Sequence, residues 1–191
     1  MMLCRILMTV SLLGSSIALA SSTDGFNAAS KFQTKHFTIY FEKDVDADLL
    51  IKQLSITDTD LLLTNQSIDS SSSVTQLASK MDVLFNRTCD ILDMHVNSFK
   101  GDIKVFKSQE ELKKFYQQLY HQDLPCTGYS FYLNDYNAIY IAAENFRRDI
   151  LGHEIGHAVI SSYFVVSPSM KIQEVLAGYV EYQLKKSKSA P

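Results

Sequence analysis

The sequence lacks an excess of basic residues, and after its first twenty positions it also lacks a long apolar run. Lys and Arg together number 18 and Asp and Glu 21, which gives a net charge of −3. This acidic balance argues against nucleic acid or an anionic membrane surface as the main partner. Because a membrane-crossing helix needs about 20 consecutive apolar residues, no stable membrane span is expected outside the N-terminal stretch.

The first twenty residues have the pattern of a secretory signal peptide. Arg5 gives the positive start, Ile6 to Ile17 gives the apolar segment, and Ala18-Leu19-Ala20 is an A-x-A cleavage site. The segment is too short to span a bilayer, so we predict a signal peptide over 1–20 and an exported protein, either periplasmic or secreted. Without Arg5, the 18 basic residues fall to 17 against the same 21 acidic ones, so the mature chain carries a net charge of −4.

Cysteine is scarce, and the three cysteines include no C-x-x-C pair. A zinc–thiolate site is therefore not expected. Cys89 and Cys126 remain after the predicted signal peptide, and an even number in an oxidising compartment predicts one disulfide between them. Two separate buried thiols are the alternative.

Residues 21–191 are predicted to form a single α+β domain, because their length suits one substantial core and no internal repeat is visible. Apolar alternation predicts four strands, at 35–42, 102–107, 129–133 and 138–142. Helical spacing predicts earlier helices at 44–56, 74–96 and 108–121. The polar segment 57–73 is predicted to be a loop, and His36 is expected at the surface of a strand edge.

The stretch Asp149 to Val159 reads DILGHEIGHAV and contains the pattern H-E-x-x-H. Residues four apart lie on one face of an α-helix, so His153 and His157 can point at one metal ion. Neutral histidine nitrogen is a good Zn²⁺ ligand, and Glu154 beside the metal can accept a proton from bound water. The alternative is a buried helix whose histidines hydrogen-bond in the core.

The same helix, for which Asn145 is a candidate N-cap, carries apolar and glycine positions that predict how it packs. Leu151, Ile155 and Val159 form a stripe that we expect to face the core. Two glycines lower the helix propensity by about 1 kcal/mol each relative to alanine. These glycines, which are Gly152 and Gly156, predict the close approach of another element.

A last helix is predicted to start at Ser167-Pro168, with serine as N-cap and proline as its first residue. It runs to about Lys186, and its predicted core stripe comprises Ile172, Val175, Leu176, Tyr179 and Val180. Glu174 and Glu181 lie together on another face of this helix. Glu174 is either a solvated glutamate or a third zinc ligand.

The motif HEIGH followed by IQEVLAGYVEY resembles the gluzincin class of zinc metallopeptidases, and most of all their compact peptidase MA-like domains. The resemblance is sharpest over 129–184. It implies a zincin-like catalytic domain with a small mixed sheet, an active-site helix and a C-terminal helix that carries the third ligand. One Zn²⁺ per chain would be held by His153, His157 and Glu174, and Glu154 would be the general base and later the proton donor.

Two further expectations accompany the resemblance. Larger gluzincins stabilise the oxyanion with a tyrosine or histidine far downstream, whereas here the chain ends soon after Glu181. Tyr163 or Tyr179 is therefore the candidate for that role. Metallopeptidases commonly place an exposed strand before the active-site helix, so an extended peptide is expected to pair with the strand at 138–142.

The function predicted from these features is an exported zinc-dependent metallopeptidase that hydrolyses peptide bonds in a peptide or protein substrate. The alternative is a non-catalytic, zinc-stabilised module that binds a peptide or protein. Glu154 favours the enzyme, because a structural zinc site does not require a base. A purely structural exported domain without metal would leave the histidine–glutamate cluster unexplained.

Overall fold

The computed structural model describes residues 24–124 and 128–188, and the side chains up to Lys186. The predicted signal peptide and Cys126, one half of the predicted disulfide, lie outside these residues. In the described part of the chain, five strands and six α-helices occur in the order β1 (Ser30–Gln33), β2 (Phe37–Phe41), α1 (Ala47–Gln53), α2 (Asp58–Thr64), α3 (Ser73–Leu92), β3 (Gly101–Phe106), α4 (Gln109–Tyr120), β4 (Ser130–Leu133), β5 (Ala138–Ala142), α5 (Arg148–Tyr163) and α6 (Met170–Lys188). The predicted α+β class is confirmed. None of the helices in these ranges is both long and apolar enough to cross a bilayer.

The five strands form one small mixed sheet in the order β1-β2-β3-β5-β4. β2, β3 and β5 run parallel, while β1 and β4 pair antiparallel with their neighbours and form the two edges. The expectation that 138–142 is the exposed strand is therefore wrong. This strand is β5, which lies between β3 and β4 and is buried at all five positions. β4 takes the edge position beside it.

The two faces of the sheet pack against different helices. The larger core contains Ile39, Ile103 and Ile139 of the sheet, together with side chains of α1, α3, α5 and α6. The smaller core, on the opposite face, contains Tyr140 of β5 and Leu112 of α4. Since consecutive strand residues point to opposite faces, α4 and α5 lie on opposite sides of the sheet.

The helices α5 and α6 pack closely because α5 presents glycine where they meet. A Cβ atom at Gly152 would lie 2.1 Å from Cδ1 of Leu184, and one at Gly156 would lie 3.4 Å from Cα of Ala177. The predicted close approach at these glycines is confirmed. The stripe predicted to face the core is confirmed as well, since its members Leu151, Ile155 and Val159 are fully buried.

The predicted core stripe of α6 is wrong at three positions. Ile172, Val175 and Tyr179 are 51%, 66% and 48% exposed. The buried face instead comprises Gln173, Ala177, Val180 and Leu184. The reason is the glycine surface of α5, which admits the small side chain of Ala177 at the crossing and so sets the rotation of α6 about its axis.

Three local predictions also differ from the structure. The segment 57–73 is not a loop throughout, because Thr57 and Asp60 form a capping box that starts α2. α5 begins at Arg148 rather than near Asn145, since Ala143–Asn145 forms a 3₁₀ turn of its own. α6 begins at Met170, two residues after Pro168.

His36 is buried rather than at the surface. It is 2% exposed, and its ring stacks on that of Phe85 with a centroid distance of 4.0 Å. Burial lowers the pKa of His36. The imidazole therefore belongs to the aromatic part of the larger core.

Arg148 joins three helices through a buried ion pair and a hydrogen bond. Arg148 at the start of α5 pairs with Asp60 of α2. The same guanidinium donates to the backbone carbonyl oxygen of Leu184 in α6. Arg148 thus fixes the C-terminal part of α6 against the first turn of α5.

Candidate metal centre

The two histidines of the H-E-x-x-H motif lie side by side on α5. They are one turn apart, and their Nε2 atoms are 3.2 Å from each other. His157 is buried, while the side chain of His153 is 22% exposed. Burial is the largest cause that lowers the pKa of His157, which favours the neutral imidazole that can bind a metal.

Glu174, in the second turn of α6, faces both rings. One carboxylate oxygen lies 3.5 Å from Nε2 of His153, and the other lies 3.5 Å from Nε2 of His157. One ligand atom from each of the three residues lies within 4.8 Å of the other two. The helix packing described above therefore assembles all three residues that the sequence suggested as ligands.

The distances between these three side chains are close to the spacing of ligands in a tetrahedral metal site. With bonds of about 2.0–2.1 Å to zinc, two ligand atoms of a tetrahedron lie about 3.3–3.4 Å apart. The corresponding distances here are 3.2 Å between the histidine nitrogens, and 3.5 Å from each nitrogen to a different oxygen of Glu174. A single atom from each of the three residues lies within 4.8 Å of the other two. Two imidazoles and one carboxylate leave the fourth position for water or substrate.

Glu154 is buried on the same helix, between the two histidines in sequence and directly after His153. The Ser130 hydroxyl donates a hydrogen bond of 2.7 Å to Oε1 of Glu154. Burial raises the pKa of Glu154 to about 6, although His153 and the hydrogen bonds from Ser130 and Tyr132 oppose the rise. A carboxyl group with such a pKa can both accept and return a proton near neutral pH.

Glu181 contacts the other nitrogen of His153. Its Oε2 atom lies 3.3 Å from Nδ1, which is an ion-pair distance without the angle of a hydrogen bond. Lys185, one turn further along α6, pairs with the same glutamate. Histidine ligands of metals usually donate their second ring N–H to a carboxylate, a backbone carbonyl or water, and Glu181 is a carboxylate beside that nitrogen.

These residues lie in a cleft of about 800 Å³ that also runs along β4. Most of the residues that line it come from α4, β4, α5 and α6, and the others lie in the connections next to them. Its lining in the described residues is Tyr116, Tyr120, Gly128, Tyr129, Ser130, Phe131, Tyr132, Leu133, Asn134, Ile150, His153, Glu154, His157, Ser161, Ser167, Met170, Gln173, Glu174 and Glu181.

The tyrosines proposed for oxyanion stabilisation lie elsewhere. Tyr163 and Tyr179 are 50% and 48% exposed, and neither is among the described residues that line the cleft. Tyr132 does line it, and its hydroxyl donates to Oδ1 of Asn137 at 3.1 Å. Burial raises the pKa of Tyr132 to about 12, so this phenol stays a donor at neutral pH.

Sequence reasoning assigned no role to Ser130, Tyr132 or Glu181. Glu181 had a usable signal, because it lies seven residues after Glu174 and therefore on the same face of α6. Ser130 and Tyr132 had none, since only the edge position of β4 brings them beside α5.

Comparisons with known proteins identify no relative. No family model, no curated protein and no solved structure matches this chain. The interpretation of the site accordingly depends on its own geometry and chemistry.

Proposed function

We propose that the chain is an exported zinc-dependent metallopeptidase with a compact, gluzincin-like catalytic domain. The observation that carries the proposal is the convergence of His153, His157 and Glu174 beside a buried glutamate, Glu154. Exposed carboxylates often lie near histidines by chance. Chance does not explain the buried carboxyl group of Glu154. A buried carboxyl next to two histidines is costly to maintain without a role.

In this proposal His153, His157 and Glu174 hold the zinc ion. When bound, the ion supplies Lewis acidity towards the scissile carbonyl and the attacking water. Glu154 accepts a proton from that water as its oxygen bonds to the carbonyl carbon. It then gives the proton to the amide nitrogen as the C–N bond breaks. Ser130 holds one oxygen of Glu154 in place throughout.

The edge strand β4 offers a binding mode for an extended substrate. All four of its residues line the cleft. A strand at the edge of a sheet has unpaired backbone groups with which a peptide can form hydrogen bonds. The peptide would then run past Glu154 and the histidines. In this arrangement the peptide pairs with β4, and not with the strand at 138–142 that the sequence had suggested.

The proposal is tested by replacing Glu154 with glutamine. Glu154→Gln is nearly isosteric and removes only the base, so zinc content and fold should be retained. Loss of general acid–base catalysis should lower hydrolysis of a peptide library by about 10²–10⁴-fold. The comparison uses wild type and variant matched for zinc content.

The outcomes separate the enzyme from the binding module. Equal cleavage by wild type and variant would assign the activity to another site or a contaminant. No cleavage by either, with zinc bound and peptide retained along β4, would favour the non-catalytic zinc-stabilised module.

A further inference from the structure

The cleft extends past the edge of the sheet to an aromatic wall on the side of α4. Tyr116 and Tyr120 of α4 lie with ring centroids 4.7 Å apart, and Tyr116 contacts Phe131 of β4 edge-to-face at 5.1 Å. We refer to Tyr116, Tyr120 and Phe131 as the aromatic shelf. Tyr120 is 43% exposed although it lines the cleft, so much of its ring is available to a ligand.

The shelf and the metal site lie on opposite faces of β4. Ser130 points towards α5, where it bonds Glu154, and Tyr132 packs against the larger core on that side. Phe131 and Leu133 pack against the smaller core on the side of α4. Because the side chains of a strand alternate between faces, a peptide paired with β4 would also present alternate residues to the two sides.

Charge is distributed unequally between the two sides of the cleft. Glu154, Glu174 and Glu181 belong to α5 and α6, whereas the shelf contains only phenol and phenyl rings. Among the described lining residues there is no lysine or arginine. An acidic side chain placed on the shelf would therefore lose hydration without meeting a cation, while a large apolar side chain would bury area against the rings.

We propose that the aromatic shelf is a substrate subsite for a bulky apolar side chain, aromatic or branched aliphatic, of a peptide paired with the edge of β4. The inference rests on the proposed peptide-binding function of the cleft. It adds the chemical class of the substrate. This is a peptide that places an apolar side chain on the aromatic shelf, while the residues before and after it point towards the metal site. Substrates with aspartate or glutamate at that position are disfavoured.

The experiment compares the full exported chain with two substitutions of Tyr120 and one distant control. Tyr120→Ala removes the exposed ring, and Tyr120→Phe keeps it. Tyr182→Ala is the matched control, because Tyr182 is a 60% exposed tyrosine on α6 outside the described lining of the cleft. Two quantities are measured with the same fluorescein-labelled decapeptides, in which one position is Phe, Leu, Ala or Asp. These are kcat/KM for hydrolysis and Kd for binding to Glu154→Gln forms of each protein.

Wild type should prefer Phe or Leu over Ala at one position by roughly tenfold, the size of effect expected for burying one large apolar side chain. Tyr120→Ala should lose most of that preference, while Tyr120→Phe and Tyr182→Ala should keep it. An equal preference in Tyr120→Ala, or none in wild type, would overturn the subsite.

Failure of the subsite can be told apart from failure of the proposed function. Hydrolysis without an apolar preference leaves the peptidase standing and overturns the shelf. Binding of the Phe peptide that depends on Tyr120, without any hydrolysis, supports the shelf and contradicts the peptidase. Neither binding nor hydrolysis contradicts both.

Discussion

At the scale of single residues, the arrangement of the side chains at the proposed metal site depends on His153. Its Nε2 atom faces His157 and Glu174, and its Nδ1 atom faces Glu181. A carboxylate that accepts a hydrogen bond from one ring nitrogen fixes the orientation and the tautomer of the ring, which strengthens metal binding through the other nitrogen. Glu181 lies at a distance from which a small rotation would make that bond. We therefore propose Glu181 as a positioning residue for the proposed metal site rather than as a ligand.

We predict a graded loss of zinc affinity when Glu181 is replaced. Glu181→Ala removes the carboxylate beside Nδ1 and should weaken zinc binding by about 10–100-fold. Glu181→Gln keeps an oxygen acceptor and should give a smaller loss. Competition with a chromophoric chelator measures the zinc dissociation constant without any assay of activity.

The control for this series is Glu110→Ala, which removes an exposed glutamate of α4 that pairs with Lys114. It should leave the zinc dissociation constant unchanged. If Glu181→Ala binds zinc as tightly as Glu110→Ala, Glu181 does not position His153.

At the scale of elements, the distance between the histidines and Glu174 is set by how α5 packs on α6. Gly156 is the closest approach to the α6 backbone, with 3.4 Å between a built Cβ and Cα of Ala177. Gly178 lies on α6, and a Cβ atom placed on Gly178 would contact nothing within 4 Å beyond its own helix. These two glycines therefore test packing and intrinsic helix propensity separately.

We predict opposite effects of filling the two glycines. Gly156→Val should force α6 away from α5 and lower the free energy of unfolding by about 1–3 kcal/mol, with a loss of zinc affinity because Glu174 moves with α6. Gly178→Ala should raise the free energy of unfolding by up to about 1 kcal/mol through helix propensity. Urea unfolding of the metal-free forms measures both, and an unchanged stability of Gly156→Val would refute the account of this packing.

The helices and strands also show how much of the fold could be predicted from the sequence. Local periodicity places most helices and strands within a few residues, and the spacing of His153 and His157 specifies one face of a helix. The rotation of α6 could not be read in the same way. Ile172, Val175 and Tyr179 are apolar yet exposed, because the small residues of two packed helices decide their contact.

At the scale of the whole molecule, the order of the strands brings together what the sequence keeps apart. β4 lies at the edge because β5 pairs in parallel with β3, and no local pattern encodes that order. The same order places Ser130 against Glu154 and makes Phe131 part of the wall on the opposite side. The motif spacing thus predicted that His153 and His157 share one face and the resemblance suggested Glu174 beside them, whereas the cleft around these residues was not predictable.

The most direct test of the proposed metal site is the zinc content of the purified protein, measured by mass spectrometry with elemental detection. We predict one zinc ion per chain in wild type and in Glu154→Gln, and loss of that ion in His157→Ala, with circular dichroism used to verify that each variant is folded. Wild type without zinc after equilibration with the ion, or folded His157→Ala with an unchanged zinc content, would contradict the assignment of the site.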